Sequence, residues 1–350
     1  MTYKPNKPAF TLVELLVTIT IIAILASMSL VALSSSRTQA KIFRTRSTIM
    51  KIDTAIGEIY EQYDERSIGE YDLAGDPANK ATPLGYVKES GISATEKSRR
   101  LQQMLLMAKR DLIRKEMPQN WAEVDSANDI KLENVYGKNV PVRTYYYNAM
   151  SGKVDSADGK YKNESAELLY LIIANLNPEA LSNFASGEIG DTDGDGLPEF
   201  IDGWGNPIKF LRWAPGLYDS EIQPVVYNLD GTLKTIDEID ELRVKNADPI
   251  DVSNSGVPLS DTDRVTDDAT TWIPDKGFVR GWFLYPLIVS CGPDGEDGLY
   301  NYAWESGDIP MSITSANPFM IKDTKDSKPL MVGSPLSDAY KDNIHNHKQR

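Results

Sequence analysis

Acidic side chains at alternate positions form the strongest chemical pattern in the chain. In the segment DTDGDGLPEFID, Asp191 to Asp202, carboxylates stand at Asp191, Asp193 and Asp195, glycine takes the sixth place, Glu199 the ninth and Asp202 the twelfth. Ca²⁺ takes six to eight oxygens at about 2.4 Å, and alternate side chains of a tightly wound loop converge on one point. This is the spacing of an EF-hand-type calcium loop, with Gly196 permitting the sharp turn and Leu197 offering its backbone carbonyl. We therefore expect Asp191, Asp193, Asp195, Leu197, Glu199 and Asp202 to hold calcium. Gly194 and Pro198, and the lack of a helix leading into the segment, set it apart from a helix-flanked EF-hand. Asp202 has a shorter arm than glutamate and would bind through one oxygen or through water. The competing reading of the same residues is an acidic Asp-Gly turn cluster.

Other reactive constellations are missing. His345 and His347 are the only histidines and stand in a polar C-terminal stretch. We expect both to be exposed residues of a mobile tail, which leaves no histidine in the body for a Ser-His-Asp triad or a zinc site. Cys291 is the single cysteine, so no intramolecular disulfide forms, and no motif places a base beside it. Acid pairs of the glycosidase kind are available, but nothing selects one, and the chain reads as a non-enzyme. The net charge of −14 argues against a phosphate-binding surface, so no nucleic-acid partner is expected. With 41% hydrophobic residues the chain can bury a core.

The elements that must carry these residues begin with a long apolar run, Phe10 to Leu33, holding one acid, Glu14. As a helix it would span about 36 Å, enough to cross a bilayer core of roughly 30 Å. A carboxylate in that setting costs at least ~2.5 kcal/mol and calls for a partner. The preceding segment, MTYKPNKPA, is basic, and the small residue Ala9 stands before the apolar run rather than after it as in a secretory signal. Cleavage after Ala9 would keep the helix and give Phe10 a free ammonium at the depth of a neighbour's Glu14. Beyond the apolar run, Ile42, Ile49, Ile52, Ile56, Ile59 and Tyr63 recur at helical spacing, so one helix reaches about Asp64 with an apolar stripe for a globular domain. A coiled-coil dimer is the other use of such a stripe, though Gly57 interrupts it.

AFTLVELLVTITIIAIL resembles the N-terminal segment of type IV prepilins and type II secretion pseudopilins: a basic leader, a small residue, then Phe10, Thr11, Leu12, Val13 and Glu14. Ala9 replaces the commoner glycine. The resemblance implies cleavage between Ala9 and Phe10 by a prepilin peptidase, N-methylation of Phe10, and assembly through Glu14 with other pilin or pseudopilin subunits on a membrane platform. It also implies export of the C-terminal domain from the cytoplasmic membrane to the periplasm, then residence in a periplasmic or cell-surface filament. Charge around the anchor does not decide this orientation, because Arg37, Lys41, Arg44 and Arg46 follow it. Two further landmarks resemble major pseudopilins: Trp204-Gly205-Asn206-Pro207 with the strand after it, and Ser290, Gly292, Asp294 and Gly295 after a strand. In that family the second region is a calcium-stabilised loop, which makes Ser290, Asp294 and Asp297, with Glu296, candidates for a second metal site.

The implied fold is α+β: a long N-terminal helix packed on a C-terminal antiparallel sheet domain with helical insertions. We expect a leader at 1–9, a transmembrane and assembly helix at 10–33, its amphipathic continuation at 34–66, a globular domain at 67–330 and a mobile polar tail at 331–350. Within the domain, 67–91 reads as loop and Ser93 with Glu96 as a capping box opening a helix with one basic face. Glu164 to Leu176 reads as a buried helix, and 217–278 as a solvated, acid-rich insertion. The functional expectation is a filament subunit stabilised by calcium, of a secretion pseudopilus or a surface pilus. The alternative is a membrane-anchored calcium-dependent binding module or adhesin that does not polymerise.

Overall fold

A computed structural model describes residues 11–65, 144–151, 163–214, 285–299 and 333–348, with shorter stretches inside 90–124 and 216–238 and the pairs 321–322 and 329–330. Ala9 and Phe10, the loop at 67–89, most of the basic-faced helix and nearly all of the acid-rich insertion lie outside the described residues.

Helix α1, Leu12–Glu65, runs unbroken for 54 residues, about 80 Å at the helical rise. It is the described helix long and apolar enough to cross a membrane. Hydroxyls in its first half are satisfied within the helix: Thr18 donates to the Glu14 and Leu15 carbonyls, Ser27 to Ile24 and Ser29 to Leu25. Such back-bonding removes the penalty for polar groups where no water is at hand. From Thr11 to Lys41 every side chain is exposed around the full circumference. Over the second half the expected stripe is buried, with Ile49, Ile52, Ile56, Ile59 and Tyr63 in the core. The chain's own domain covers this stripe, so its residues are not available to a coiled-coil partner.

Two shorter helices follow: α2, Thr144–Met150, and α3, Glu164–Leu176. The α3 segment is apolar on most sides and its Ala166, Leu168, Leu169, Ile172 and Ile173 are fully buried. A 3₁₀ turn, Pro178–Asn183, leads into the hairpin β1, Ile189–Gly190, and β2, Glu199–Phe200, whose register pairs Ile189 with Phe200. The acid-rich loop joins these two strands. Strands β3, Lys209–Leu211, β4, Leu287–Ser290, and β7, Ile344–His345, form an antiparallel sheet in the order β3-β4-β7. A separate antiparallel pair joins β5, Ile321–Lys322, to β6, Pro329–Leu330. The sheet packs on α1 and α3 around one main cluster that includes Trp121, Tyr146, Phe200, Phe210 and Ile288. The α+β expectation agrees with this architecture.

Polar contacts hold the start of the buried stripe to the domain. Glu188, buried, pairs with Lys51 at 2.7 Å and accepts the Thr48 hydroxyl at 2.7 Å. Burial alone would raise its carboxyl; Lys51, the Ala185 amide and Thr48 together hold it below the ordinary value. Gly203 donates its amide to the Thr45 hydroxyl, and a Cβ at Gly203 would lie 2.4 Å from the Lys41 carbonyl oxygen. Glycine is therefore what lets the turn touch the helix backbone. Gly57 has a similar use, since a Cβ there would meet the Tyr285 hydroxyl at 3.0 Å.

The expectation of a mobile tail with exposed histidines is corrected by β7. His345, Asn346 and His347 are all buried. The Asn346 carboxamide continues the sheet: its oxygen accepts the Ile288 amide at 2.8 Å, and its nitrogen donates to the Pro286 carbonyl and to Asp53 on α1. His345 Nε2 lies 3.3 Å from Asp219, whose carboxyl is held down to about 2 by that bond, against the effect of burial. His347 Nε2 faces the Pro286 carbonyl and Nδ1 faces the Ser220 hydroxyl. Burial, with His345 beside it, pushes the His347 imidazole down to about 3, so the ring is neutral. These partners assign Nε2 as donor and Nδ1 as acceptor. The polar composition misled because each polar group finds a partner on another segment.

Asn346→Ala leaves the buried Ile288 amide without an acceptor and is expected to cost about 1–3 kcal/mol, read as a lowered thermal midpoint. An unfolded histidine takes up its proton near pH ~6.5 whereas the folded His347 resists until about 3. Its contribution to stability is complete above the unfolded value and is lost as pH falls through this window, by ~1.4 kcal/mol per unit. Melting curves at stepped pH are expected to show a weaker acid dependence below ~6.5 in His347→Gln than in the parent.

Candidate functional site

Two places in the structure have chemistry that the core does not require. The first is the N-terminal end of α1. Thr11 and Glu14 form a reciprocal capping box: the Glu14 carboxylate accepts the Thr11 amide at 2.9 Å and the Thr11 hydroxyl at 2.8 Å, while the Glu14 amide donates to the Thr11 oxygen at 3.2 Å. In a single chain the acid is thus occupied with its own helix end, a role that Thr-x-x-Glu spells out in the sequence. Around it Leu12, Val13, Leu15 and Leu16 are exposed. An apolar surface this large and continuous is unsuited to water and calls for lipid or protein around it.

The second place is the β1–β2 loop. Gly194 and Gly196 adopt the left-handed conformation, φ 84° and 87°, where glycine carries no steric penalty. Asp191 accepts the Gly194 amide at 2.6 Å with one oxygen and the Gly196 amide at 2.9 Å with the other, shaping the turn. Asp195 Oδ1 accepts the Leu197 amide at 2.7 Å, and the Leu197 side chain is buried in the core. Glu199, also buried, accepts the amide and hydroxyl of Thr192 and the Asn163 carboxamide. Burial raises its carboxyl, and those hydrogen bonds oppose the rise.

Asp202, expected as the twelfth ligand, is engaged elsewhere. Its Oδ1 accepts the amides of Trp204, Gly205 and Asn206 at 2.8 to 2.9 Å, and its Oδ2 accepts the Ser290 hydroxyl at 2.7 Å. Asp202 therefore builds the Trp-Gly-Asn turn and ties it to β4. Ser290, proposed from sequence for a different metal site, is the other half of that tie. The remaining members of the second set have other partners too: Asp297 pairs with Lys209 at 2.6 Å, and Asp294 accepts the Glu296 amide. Asn206 reaches the Gly292 carbonyl, so the two landmark segments brace each other through direct hydrogen bonds.

In place of Asp202 the structure brings Glu167 to the loop. This residue sits in the first turn of α3 and is buried. Trp121 donates its indole N–H to Oε2 at 2.8 Å. Burial, followed by the charges of Asp195, Asp193 and Glu199, pushes the Glu167 carboxyl up to about 8, against the pull of the Trp121 bond. Glu167, Asp193 and Asp195 form an acidic group able to hold a metal ion. Sequence reading overlooked Glu167, although an acid inside the apolar run AELLYLII is the same kind of anomaly that drew notice to Glu14.

Enzymatic alternatives weaken on geometry. The histidines do lie in the folded body, contrary to expectation. However, His347 Nε2 faces the Pro286 carbonyl rather than a carboxylate, and Ser220 Oγ already accepts the Ile222 and Gln223 amides. Cys291 is buried, and burial pushes its thiol up to about 11, far from a reactive thiolate.

No curated protein and no solved structure matches the chain. A family model described as the prokaryotic N-terminal methylation motif matches residues 4–30. That segment covers the basic leader from Lys4, with Ala9, Phe10, the Thr11–Glu14 capping box and most of the exposed half of α1. By this motif and the apolar helix it opens, the chain carries the N-terminal signature characteristic of the type IV prepilin and pseudopilin family.

Proposed function

We propose that the chain is a structural subunit of a type IV pilus-like or type II secretion pseudopilus filament. The observation that carries this reading is the division of α1. Residues 12–33 expose apolar side chains on every side, while the stripe from Ile49 to Tyr63 is sealed by the chain's own domain. A membrane anchor needs the first property; a subunit that leaves the membrane for a polymer needs the same surface to accept neighbouring helices. A prepilin peptidase cuts between Ala9 and Phe10, Phe10 is methylated, and residues 10–33 hold the subunit in the cytoplasmic membrane with the domain in the periplasm. An assembly platform then transfers it into a filament of like subunits.

Glu14 guides the register of that transfer. In the lone chain its carboxylate is held by Thr11. In the filament it meets the Phe10 ammonium of a neighbour, an interaction strengthened by the low dielectric of a helical core. Packing rather than a disulfide stabilises the domain, since its one cysteine is buried and free. Calcium adds to that packing.

Intact-mass analysis of the mature protein is expected to show Phe10 as the first residue with one methyl added; a product that retains Met1 refutes processing at Ala9. Glu14→Ala is expected to insert and be cleaved normally, yet to lose anchor-to-anchor cross-links between engineered cysteine pairs in 12–33. Undiminished cross-linking in that variant refutes the charge pairing, and absence of cross-links in the parent chain favours the non-polymerising tether.

A further inference from the structure

The β1–β2 loop and helix α3 converge on a point that neither segment marks alone. One carboxylate oxygen from each of Glu167, Asp193 and Asp195 lies within 4.8 Å of the other two. Glu167 is only 1% exposed, and its Oε1 has no hydrogen-bond partner. When ionised, a buried carboxylate oxygen without a donor bears its full desolvation penalty. The nearby loop carboxylates offer repulsion and no proton to donate. A cation at their centre answers both problems at once.

We propose that Glu167, Asp193 and Asp195 form a calcium site in which α3 supplies the buried ligand. The donor set is all oxygen, which selects a hard cation over zinc or copper. Three carboxylates drawn from two separate segments make an irregular cage with room for water. Ca²⁺ accepts such a cage, whereas Mg²⁺ demands near-octahedral geometry at about 2.1 Å and gives up its water reluctantly. The other acids have supporting roles. Asp191 holds the Gly194 and Gly196 amides and sets the loop's curvature, and Asp202 anchors the following turn. The site thus differs from a twelve-residue loop read along the chain: its closing ligand comes from a helix that lies before the loop in sequence. An ion here ties the exposed loop to α3, which packs on α1. This inference concerns the domain and stands apart from the filament reading.

Trp121 provides the readout, because its indole is hydrogen-bonded to Glu167. The full-length chain in detergent, stripped with chelator, is titrated with Tb³⁺ under tryptophan excitation and then with Ca²⁺ or Mg²⁺ as competitor. Saturable Tb³⁺ emission is expected, displaced by Ca²⁺ at concentrations at least tenfold below those of Mg²⁺. Glu167→Gln and Asp193→Asn are each expected to weaken binding at least tenfold, and Asp202→Asn to leave it within threefold of the parent. Circular dichroism without metal verifies that each variant folds; should Glu167→Gln not fold, Asp193→Asn on its exposed loop decides the matter. The proposal is overturned by absence of saturable binding, by parent-like affinity in Asp193→Asn or a folded Glu167→Gln, or by a loss in a folded Asp202→Asn equal to that in Asp193→Asn. Filament cross-linking of the Glu14→Ala variant reads on assembly alone, so the two readings fail separately.

Discussion

The junction on α1 between Lys41 and Lys51 is where the helix changes environment, and the placement of the domain depends on it. Before this stretch the helix is exposed all round, and from Leu12 to Leu33 it is apolar on nearly all faces; after it, one face carries the core and the other is exposed. At the junction the domain grips the helix by polar means: the Gly203 amide on Thr45, Arg44 on the Gly187 carbonyl, and Glu188 between Thr48 and Lys51. Apolar burial alone is nondirectional and would let the helix slide by a turn along its own stripe. Hydrogen bonds and a half-buried ion pair add direction. The close approach of Gly203 to the Lys41 backbone leaves no space for a side chain between turn and helix.

A second theme is the use of carboxylates as scaffolding. Asp191, Asp202 and Glu199 all accept backbone amides from turns whose N–H groups have no strand to join. In a chain of net charge −14 with a single cysteine, such bonds do the work that disulfides do in many small exported domains. They also separate acids that shape loops from acids left over, and Glu167 Oε1 belongs to the second class.

Much of the architecture was legible because it is local. The stripe on α1 and the limits of α3 follow from periodicity and from Pro178, and the capping box at Thr11 was spelled out though unread. What escaped was long-range. Spacing along the loop is compatible both with a ligand at Asp202 and with an Asx-type turn; the Trp204–Asn206 amides and Ser290, 88 residues away, decide between them. Glu167 lies outside any loop motif, so its approach to Asp193 and Asp195 depends on how α3 packs. The polar His345–His347 segment looked solvated because composition records polarity and not partnership. Its acceptor and donors on Asp53, Ile288 and Ser220 are supplied only by the finished fold.

The bond from Asn346 to Asp53 spans 293 residues, and β4 has its second neighbour only when Ile344 and His345 arrive. Formation of such distant contacts is slow compared with helix growth. A chain delivered N-terminus first therefore presents α1 early and leaves one border of β4 open until Ile344 and His345 emerge. An open strand border is a template for misplaced pairing. During biogenesis the domain accordingly has a vulnerable interval whose length is set by how quickly the closing strand is delivered.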